Sequence, residues 1–308
     1  MKKYALSGIL IISLQIGFAQ EIKSDVLLNA VRVLAADSLE GRGFGSEGNV
    51  KARKFMAAQF KALGIAPAFS EGYFQEFEHK VPKGPLHGSH AKGEKPKGSR
   101  MVVGANVVAK IKGQSEKTIV ITGHIDHLGI IKGKIYNGAD DDASGTAALL
   151  AIADYFQRNP PTHTLIFAAV DGEEIGSPGA KYLLKNFPNG KENIVLNVNM
   201  DMIAHNDKEL YACGMFHYPQ LKPFISSIES PIQISFGHDN PNDKKKDDWT
   251  NSSDHRIFHL AGIPFMYFGV EDHEDYHRPS DIYENINPDF YIEAVKVIIK
   301  AIENFDKS

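Results

Sequence analysis

The chain has 308 residues, 43% of them hydrophobic and 23% charged, which excludes a disordered or fibrous protein and leaves room for one large core. Thirty-eight acidic residues against 34 basic ones give a formal charge of −4, which excludes the basic surface of a general nucleic-acid binder. The one cysteine, Cys213, allows no internal disulfide.

Residues 1–19, "MKKYALSGILIISLQIGFA", read as a cleaved secretory signal: Lys2 and Lys3, a mostly apolar stretch, then small Gly17 and Ala19. The apolar run is shorter than the roughly 20 residues of a spanning helix, so no membrane span is expected after cleavage, and a secreted or periplasmic location is. Cleavage removes only Lys2 and Lys3 among the charged residues, taking the formal charge from −4 to −6. Residues 20–308 then form a single domain.

"VLLNAVRVLAAD" and "NVKARKFMAAQFKALG" space their apolar residues as helices do, with the glycine-rich turn "SLEGRGFGSEG" between them. Residues 79–100, with His79, His87 and His90, read as a solvated loop. From Asn106 onward the pattern alternates. "NVVAKI", "TIVITG", "HTLIFAAV", "NIVLNVNM" and "IPFMYFG" are short β-branched or aromatic runs and predict strands. "ASGTAALLAIADYFQR", "GAKYLLKNF" and "DFYIEAVKVIIKAIENF" predict helices. The fold class is therefore α/β: a three-layer α/β/α sandwich with a mostly parallel, mixed central sheet.

Polar clusters fall where those strands end, and the crevice at the carboxyl ends of such strands is where ligands bind. His124 and Asp126 are two apart in "HIDHLG" and face the same way in extended chain, so the carboxylate can orient the histidine. "NGADDDASGT" packs Asp140, Asp141 and Asp142 in a row before a helix; an N-cap explains one of them, and a carboxylate bridging two cations explains the cluster better. "DGEE" sets Glu173 beside Glu174, so one can bind metal while its neighbour faces substrate as a base. "NMD" and "DYHRPSD" add Asp201 and His277. Two histidines and three carboxylates without cysteine suit zinc, with manganese or cobalt less well matched.

These segments, with "SSDHRIFHLAGIP", stand in one order that resembles the secreted co-catalytic zinc aminopeptidases, a family that includes bacterial leucyl aminopeptidases and glutamate carboxypeptidase II. Glutaminyl cyclase and the transferrin receptor are more distant members. The likeness runs from about Leu28 to the C-terminus. It implies a zinc-exopeptidase-like fold with two Zn2+ per chain: His124 and Asp201 on one ion, Glu174 and His277 on the other, and Asp141 bridging. It makes Asp126 the partner of His124 and Glu173 the general base, and it implies a cis peptide between Asp141 and Asp142. The implied function is a di-zinc aminopeptidase acting through a metal-bridging water on peptides with a free amino terminus.

Two alternatives stand beside it: a glutaminyl cyclase-like acyltransferase with a single zinc, and a binding module that kept the fold and lost catalysis. One departure concerns the oxyanion. Relatives often carry a tyrosine shortly before "SDH", where this chain has Trp249 and Thr250. His255 or the second metal is then left for that role, and Trp249 reads as a pocket wall.

Overall fold

The computed structural model describes residues 22–83 and 98–308. The signal segment, His87 and His90 lie outside the described residues. Helices α1 (Ser24–Leu34) and α2 (Glu47–Ala62) come first, joined by a 3-10 turn over Asp37–Arg42. Strands β1 (Ala66–Pro67), β2 (Phe74–Pro82), β3 (Ser99–Ile111) and β4 (Ser115–His124) follow, then a small hairpin of β5 (Gly129–Ile131) and β6 (Lys134–Tyr136). Helix α3 (Gly145–Arg158), β7 (His163–Val170), α4 (Pro178–Lys185) and β8 (Ile194–Met200) build the centre. The remainder is β9 (Glu209–Cys213), α5 (Pro223–Ser226), β10 (Gln233–Phe236), α6 (His255–Leu260), β11 (Phe265–Gly269) and α7 (Pro288–Asp306).

The main sheet has nine strands in the order β1-β3-β7-β4-β8-β11-β9-β10, with β2 also paired to β3. The four central strands, β7, β4, β8 and β11, run parallel. Antiparallel β3 and β9 flank them, so the sheet is mixed, as expected. Alternate residues of the same strands enter two separate cores. Val107, Ile119, Ile121, Leu165 and Phe167 join the core formed with α1, α2, α3 and α7. Val108, Val120, Ile166 and Ala168 join the core formed with α4 and α6. That two-fold alternation with apolar side chains on both faces is what places helices above and below the sheet.

The loop expected over residues 79–100 is corrected at both ends. His79–Pro82 lies in β2 and Ser99–Arg100 in β3, and the two strands pair from Phe74↔Val107 to Pro82↔Ser99. Only Gln75, Phe77 and Val81 of β2 are buried, so its apolar signal is thin. His79 lies edge-on to Phe44, with ring centroids 6.3 Å apart.

One side chain fixes the geometry of the sheet's functional edge. Arg42 is fully buried, and its guanidinium donates to the carbonyls of Leu34 (2.8 Å), Ile125 (2.9 Å), Asn137 (2.6 Å) and Gly138 (2.9 Å). It thereby ties the end of α1 to the segment after β4 and to the turn before α3. Burial holds its pKa below the ordinary value, opposed by the nearby Asp142, Asp281, Asp141 and Asp126. Arg42→Met keeps the aliphatic stem and leaves those carbonyls without a donor. The unfolding free energy should fall by about 3 kcal/mol or more, as measured by urea denaturation; a loss under about 1 kcal/mol would show that water replaces the guanidinium.

Candidate metal centre

The segments that leave the carboxyl ends of β4, β7, β8 and β11 meet over one cleft of about 280 Å³, lined by His124, Asp141, Glu173, Glu174, Asp201 and His277 among others. A larger groove of about 520 Å³ beside α1 and α2 gathers no comparable set of ionisable groups. All five residues read as ligands from the sequence therefore come together, with Glu173 beside them.

Asp141 is the centre of the arrangement. Its Oδ1 lies 3.1 Å from His124 Nε2, while its Oδ2 lies 3.0 Å from His277 Nε2 and 3.6 Å from His127 Nδ1. Asp201 Oδ1 stands 3.4 Å from His124 Nε2. Glu174 Oε1 stands 2.8 Å from His127 Nδ1 and 3.8 Å from His277 Nε2. Two donor groups thus share one carboxylate: His124, Asp141 and Asp201 on one side, His127, Asp141 and Glu174 on the other.

The three consecutive aspartates do three different things. Asp142 accepts from the N–H groups of His124 (2.9 Å) and Gly145 (2.8 Å), so it caps the start of α3 and pins the end of β4 to it. Asp140 accepts from Ala204 N–H (2.6 Å), which ties the turn to the segment after β8. Asp281 in turn accepts from the N–H groups of Asp140 (2.8 Å) and Asp141 (3.1 Å), which anchors the turn from the His277 side. Only the Asp141 carboxylate is left to face the histidines. The peptide between Asp141 and Asp142 is cis. The turn is also tight: a Cβ on Gly145 would come within 2.5 Å of Met200 O, and one on Gly138, at φ 59°, within 2.0 Å of Asp141 O.

Asp126 acts differently from the sequence expectation. The atom that meets His124 Nδ1 is its main-chain carbonyl, at 2.9 Å; its carboxylate Oδ1 is 3.9 Å away. That carboxylate instead accepts from the N–H groups of Gly172 (2.7 Å) and Glu173 (3.0 Å), and so positions the Glu173 loop. Burial and the nearby Asp171 push Asp126 up to about 8.

His127 was not among the residues read from the sequence. It is fully buried; its Nδ1 stands against the Glu174 and Asp141 carboxylates without good hydrogen-bond alignment, and its Nε2 has no partner. Its signal is the second histidine of "HIDHLG", three positions from His124 and so out of step with it in extended chain. His255, by contrast, does not reach the cleft. Its Nε2 bonds Trp249 O at 2.9 Å, and its ring packs against Phe265 and Tyr267. The phenols of the cleft wall are Tyr267 and Tyr276, and Trp249 is part of the same wall. Burial, reinforced by Asp141, holds Tyr276 protonated, and its ring stacks on His277 at 3.9 Å.

The electrostatics are those of a site with more acid than base. Burial disfavours a charged His124, yet Asp201 and Asp141 outweigh it and raise its pKa well above the ordinary value. His127 is raised to about 9 against burial, by Asp141 and Glu174. Burial would raise Asp141, but His127, His124 and His277 hold it well below the usual carboxylate range. Burial, with Asp254, Glu174 and Asp201 and against the pull of His124, lifts Glu173 well above its ordinary value. Histidines that hold protons this tightly mark places where a cation replaces them and releases protons on binding.

The donor set fits zinc. Bonds of about 2.0–2.2 Å in a tetrahedron separate neighbouring donors by about 3.3–3.5 Å, and the 3.1 and 3.4 Å spacings around His124 Nε2 fall near that. Glu174 Oε1 and His127 Nδ1 are buried and face each other at 2.8 Å without hydrogen-bond alignment, an arrangement that a shared ion would satisfy.

His255 yields a stability prediction. Burial lowers it to about 3 from 6.5, so it stays neutral in the folded chain while the unfolded chain takes up a proton. Stability is then complete above about pH 6.5 and falls as pH drops toward 3, by up to ~1.4 kcal/mol per pH unit from this one group. His255→Gln should flatten the unfolding free energy between pH 6.5 and 5; an unchanged slope would place the acid sensitivity elsewhere.

Comparison with known proteins agrees with the fold. Residues 106–302 match the model of peptidase family M28. The alkaline phosphatase isozyme conversion protein of Escherichia coli K12 is 30% identical over 124 residues, 37% of this chain and 36% of that protein. A "Probable zinc metalloprotease" of Pyricularia oryzae is 25% identical over 214 residues, 58% of this chain and 42% of that protein. The chain thus spans less than half the length of these relatives. The aminopeptidase from Aneurinibacillus sp. strain AM-1 superposes with a TM-score of 0.69 at 16% identity, over 92% of this chain and 94% of that one. The glutaminyl cyclase of Fimbriiglobus ruber does so with a TM-score of 0.69 at 18% identity, over 92% and 95%. With a family match that spans more than half of the chain, from the end of β3 to α7, the chain belongs to peptidase family M28.

Proposed function

We propose that the protein is a zinc-dependent aminopeptidase with two ions per chain, acting on peptides with a free amino terminus. One observation carries the reading. The two oxygens of the Asp141 carboxylate face different donors, His124 for one and His277 with His127 for the other. A carboxylate used by one ion has no need of this arrangement. His124 and Asp201 would hold the first ion, Glu174 and His277 the second, and His127 would add a nitrogen donor on the second side. Relatives and structural neighbours named as zinc metalloproteases and aminopeptidases support the same class.

When bound, the ions supply an acidified water and a Lewis acid for the scissile carbonyl. The protein's part is to position and to move a proton. Glu173, raised by burial, takes the proton of the attacking water at its carboxylate and returns it to the leaving amine. Asp126 holds the Glu173 loop in register by accepting its N–H groups. Tyr276, kept protonated in the cleft wall, is placed to donate a hydrogen bond to the developing oxyanion, the part that His255 is too remote to play. Acidic side chains around the cleft, Asp272 and Asp248 among them, suit the charged amino terminus of a substrate.

Glu173→Gln should lower turnover by ~10²-fold or more while zinc content stays unchanged; near-normal turnover would remove Glu173 as the base. Asp141→Asn should lower the affinity for both ions, and His127→Ala should weaken one of them by about 10–100-fold, both read by metal analysis after dialysis against graded chelator. An Asp141→Asn protein that loses a single ion would defeat the bridging role. The substrate class is settled by aminoacyl chromogenic amides with free and acetylated amino termini. Equal hydrolysis of both would exclude an aminopeptidase, and cyclisation of a glutaminyl peptide with release of ammonia by a one-zinc enzyme would favour the acyltransferase instead.

A further inference from the structure

A second group of metal-type donors lies behind the cleft and takes no part in the site described above. His205 follows β8, four residues after Asp201; His273 and Asp275 precede Tyr276 and His277. The rings of His205 and His273 stack with centroids 3.8 Å apart and planes 27° from parallel. One donor atom from each of His205, His273 and Asp275 falls within 4.8 Å of the others.

The hydrogen bonding around the group is incomplete. His205 Nδ1 is buried and has no hydrogen-bond partner. The nearest carboxylate oxygen, Asp275 Oδ2, is 3.9 Å away, too far for a hydrogen bond and close to the spacing of two ligands on one ion. Asp275 Oδ2 is also the acceptor for Asn285 Nδ2 at 3.2 Å, which steers the carboxylate and leaves it lone pairs to spare. His273 Nε2 lies 3.2 Å from Oδ2 of the fully buried Asp140, whose other oxygen is taken by Ala204 N–H. A proton on Nε2 faces that carboxylate, and the lone pair is then on Nδ1, toward Asp275. That lone pair accepts a long hydrogen bond of 3.3 Å from Asp275 N–H, which an ion would displace. A buried carboxylate that fixes the tautomer of a histidine by holding its far N–H is the usual support of a metal-ligating imidazole.

We propose that His205, His273 and Asp275 form a separate zinc site, with Asp140 as the carboxylate behind His273. Two nitrogens and one oxygen suit zinc, with the remaining position left to water. The ion has a structural use. It joins the segment after Asp201, the segment that ends in His277, and through Asp140 the turn that carries Asp141. Each of these three segments delivers a residue to the cleft, so the second site stiffens the frame from behind.

The test is metal content of the full chain, stripped with chelator, refilled with excess Zn2+ and passed through gel filtration. His205→Gln and the isosteric Asp275→Asn should each carry one zinc per chain fewer than the unmodified protein. In an Asp141→Asn background, adding His205→Gln should again remove one zinc per chain. Folding of each variant is checked by circular dichroism, and titration with Co2+ should show the same loss of one equivalent in visible absorbance. The comparison is a difference of one, so it reads the same whether the cleft binds one ion or two, and a failure of the two-ion cleft is distinguishable from a failure of this site. Equal zinc content in the unmodified protein and both single variants would overturn the proposal.

Discussion

The constraint on which the structure turns is the burial of many carboxylates at one sheet edge. Asp126, Asp140, Asp141, Asp142, Asp171, Asp201 and Asp254 are all buried there. An isolated ionised carboxylate in such surroundings costs several kcal/mol, so each needs a specific answer. For most the answer is main-chain N–H. Asp142, Asp140, Asp126 and Asp281 accept from backbone donors on different segments, and Asp171 accepts from Ala105 N–H and Asn49 with Arg53 at 3.7 Å. Each such bond is also a tie between two chain segments. The carboxylates that assemble the edge are therefore separate from the carboxylates that face the cleft.

That division explains how a loop-built centre is held in place. The parallel strands deliver chain ends to one line, but the segments beyond them are irregular and would wander. Arg42 gathers carbonyls from the segment after β4 and the turn before α3; Asp142 and Asp281 gather N–H groups from the same turn and its neighbours. Cationic donors on one side and anionic acceptors on the other satisfy both kinds of backbone group, as a buried turn requires. The charges offset one another, which is why a fully buried guanidinium is tolerated within reach of so many acids.

Much of this was legible in the sequence because strands and helices carry periodic signals and their ends are countable. Strand ends mark His124, Asp201 and the pair Glu173–Glu174; the ordered motifs are what single out Glu174 from its neighbour, Asp141 from its two, and the role of His277. What escaped shows where periodicity stops. Strand β4 ends at His124, so the two-residue alternation that linked His124 with Asp126 no longer governs the next positions. Beyond the strand end the chain turns, His127 swings toward Glu174, and Asp126 meets His124 through its carbonyl. The row of three aspartates reads as one feature because the partners that tell Asp140 and Asp141 apart, Ala204 and His277, lie more than 60 residues away. Strand β2 was lost in a charged stretch because its buried side chains are few and one is Gln75.

The fold by itself leaves the chemistry open, since aminopeptidases and glutaminyl cyclases superpose on this chain equally well. The decision lies in how many cations the edge holds, and that is a question about one side chain. Hydrolysis needs an activated water opposite a polarised carbonyl, for which two adjacent ions are suited; an intramolecular amine attack needs only the polarised carbonyl. A carboxylate whose second oxygen met only N–H donors would serve the latter. Here the backbone donors around the turn are taken by Asp142, Asp140 and Asp281, and the second oxygen of Asp141 is turned toward His277 and His127. The three-aspartate turn thus frees one carboxylate to face two ways, which is the arrangement that the proposed two-ion centre requires.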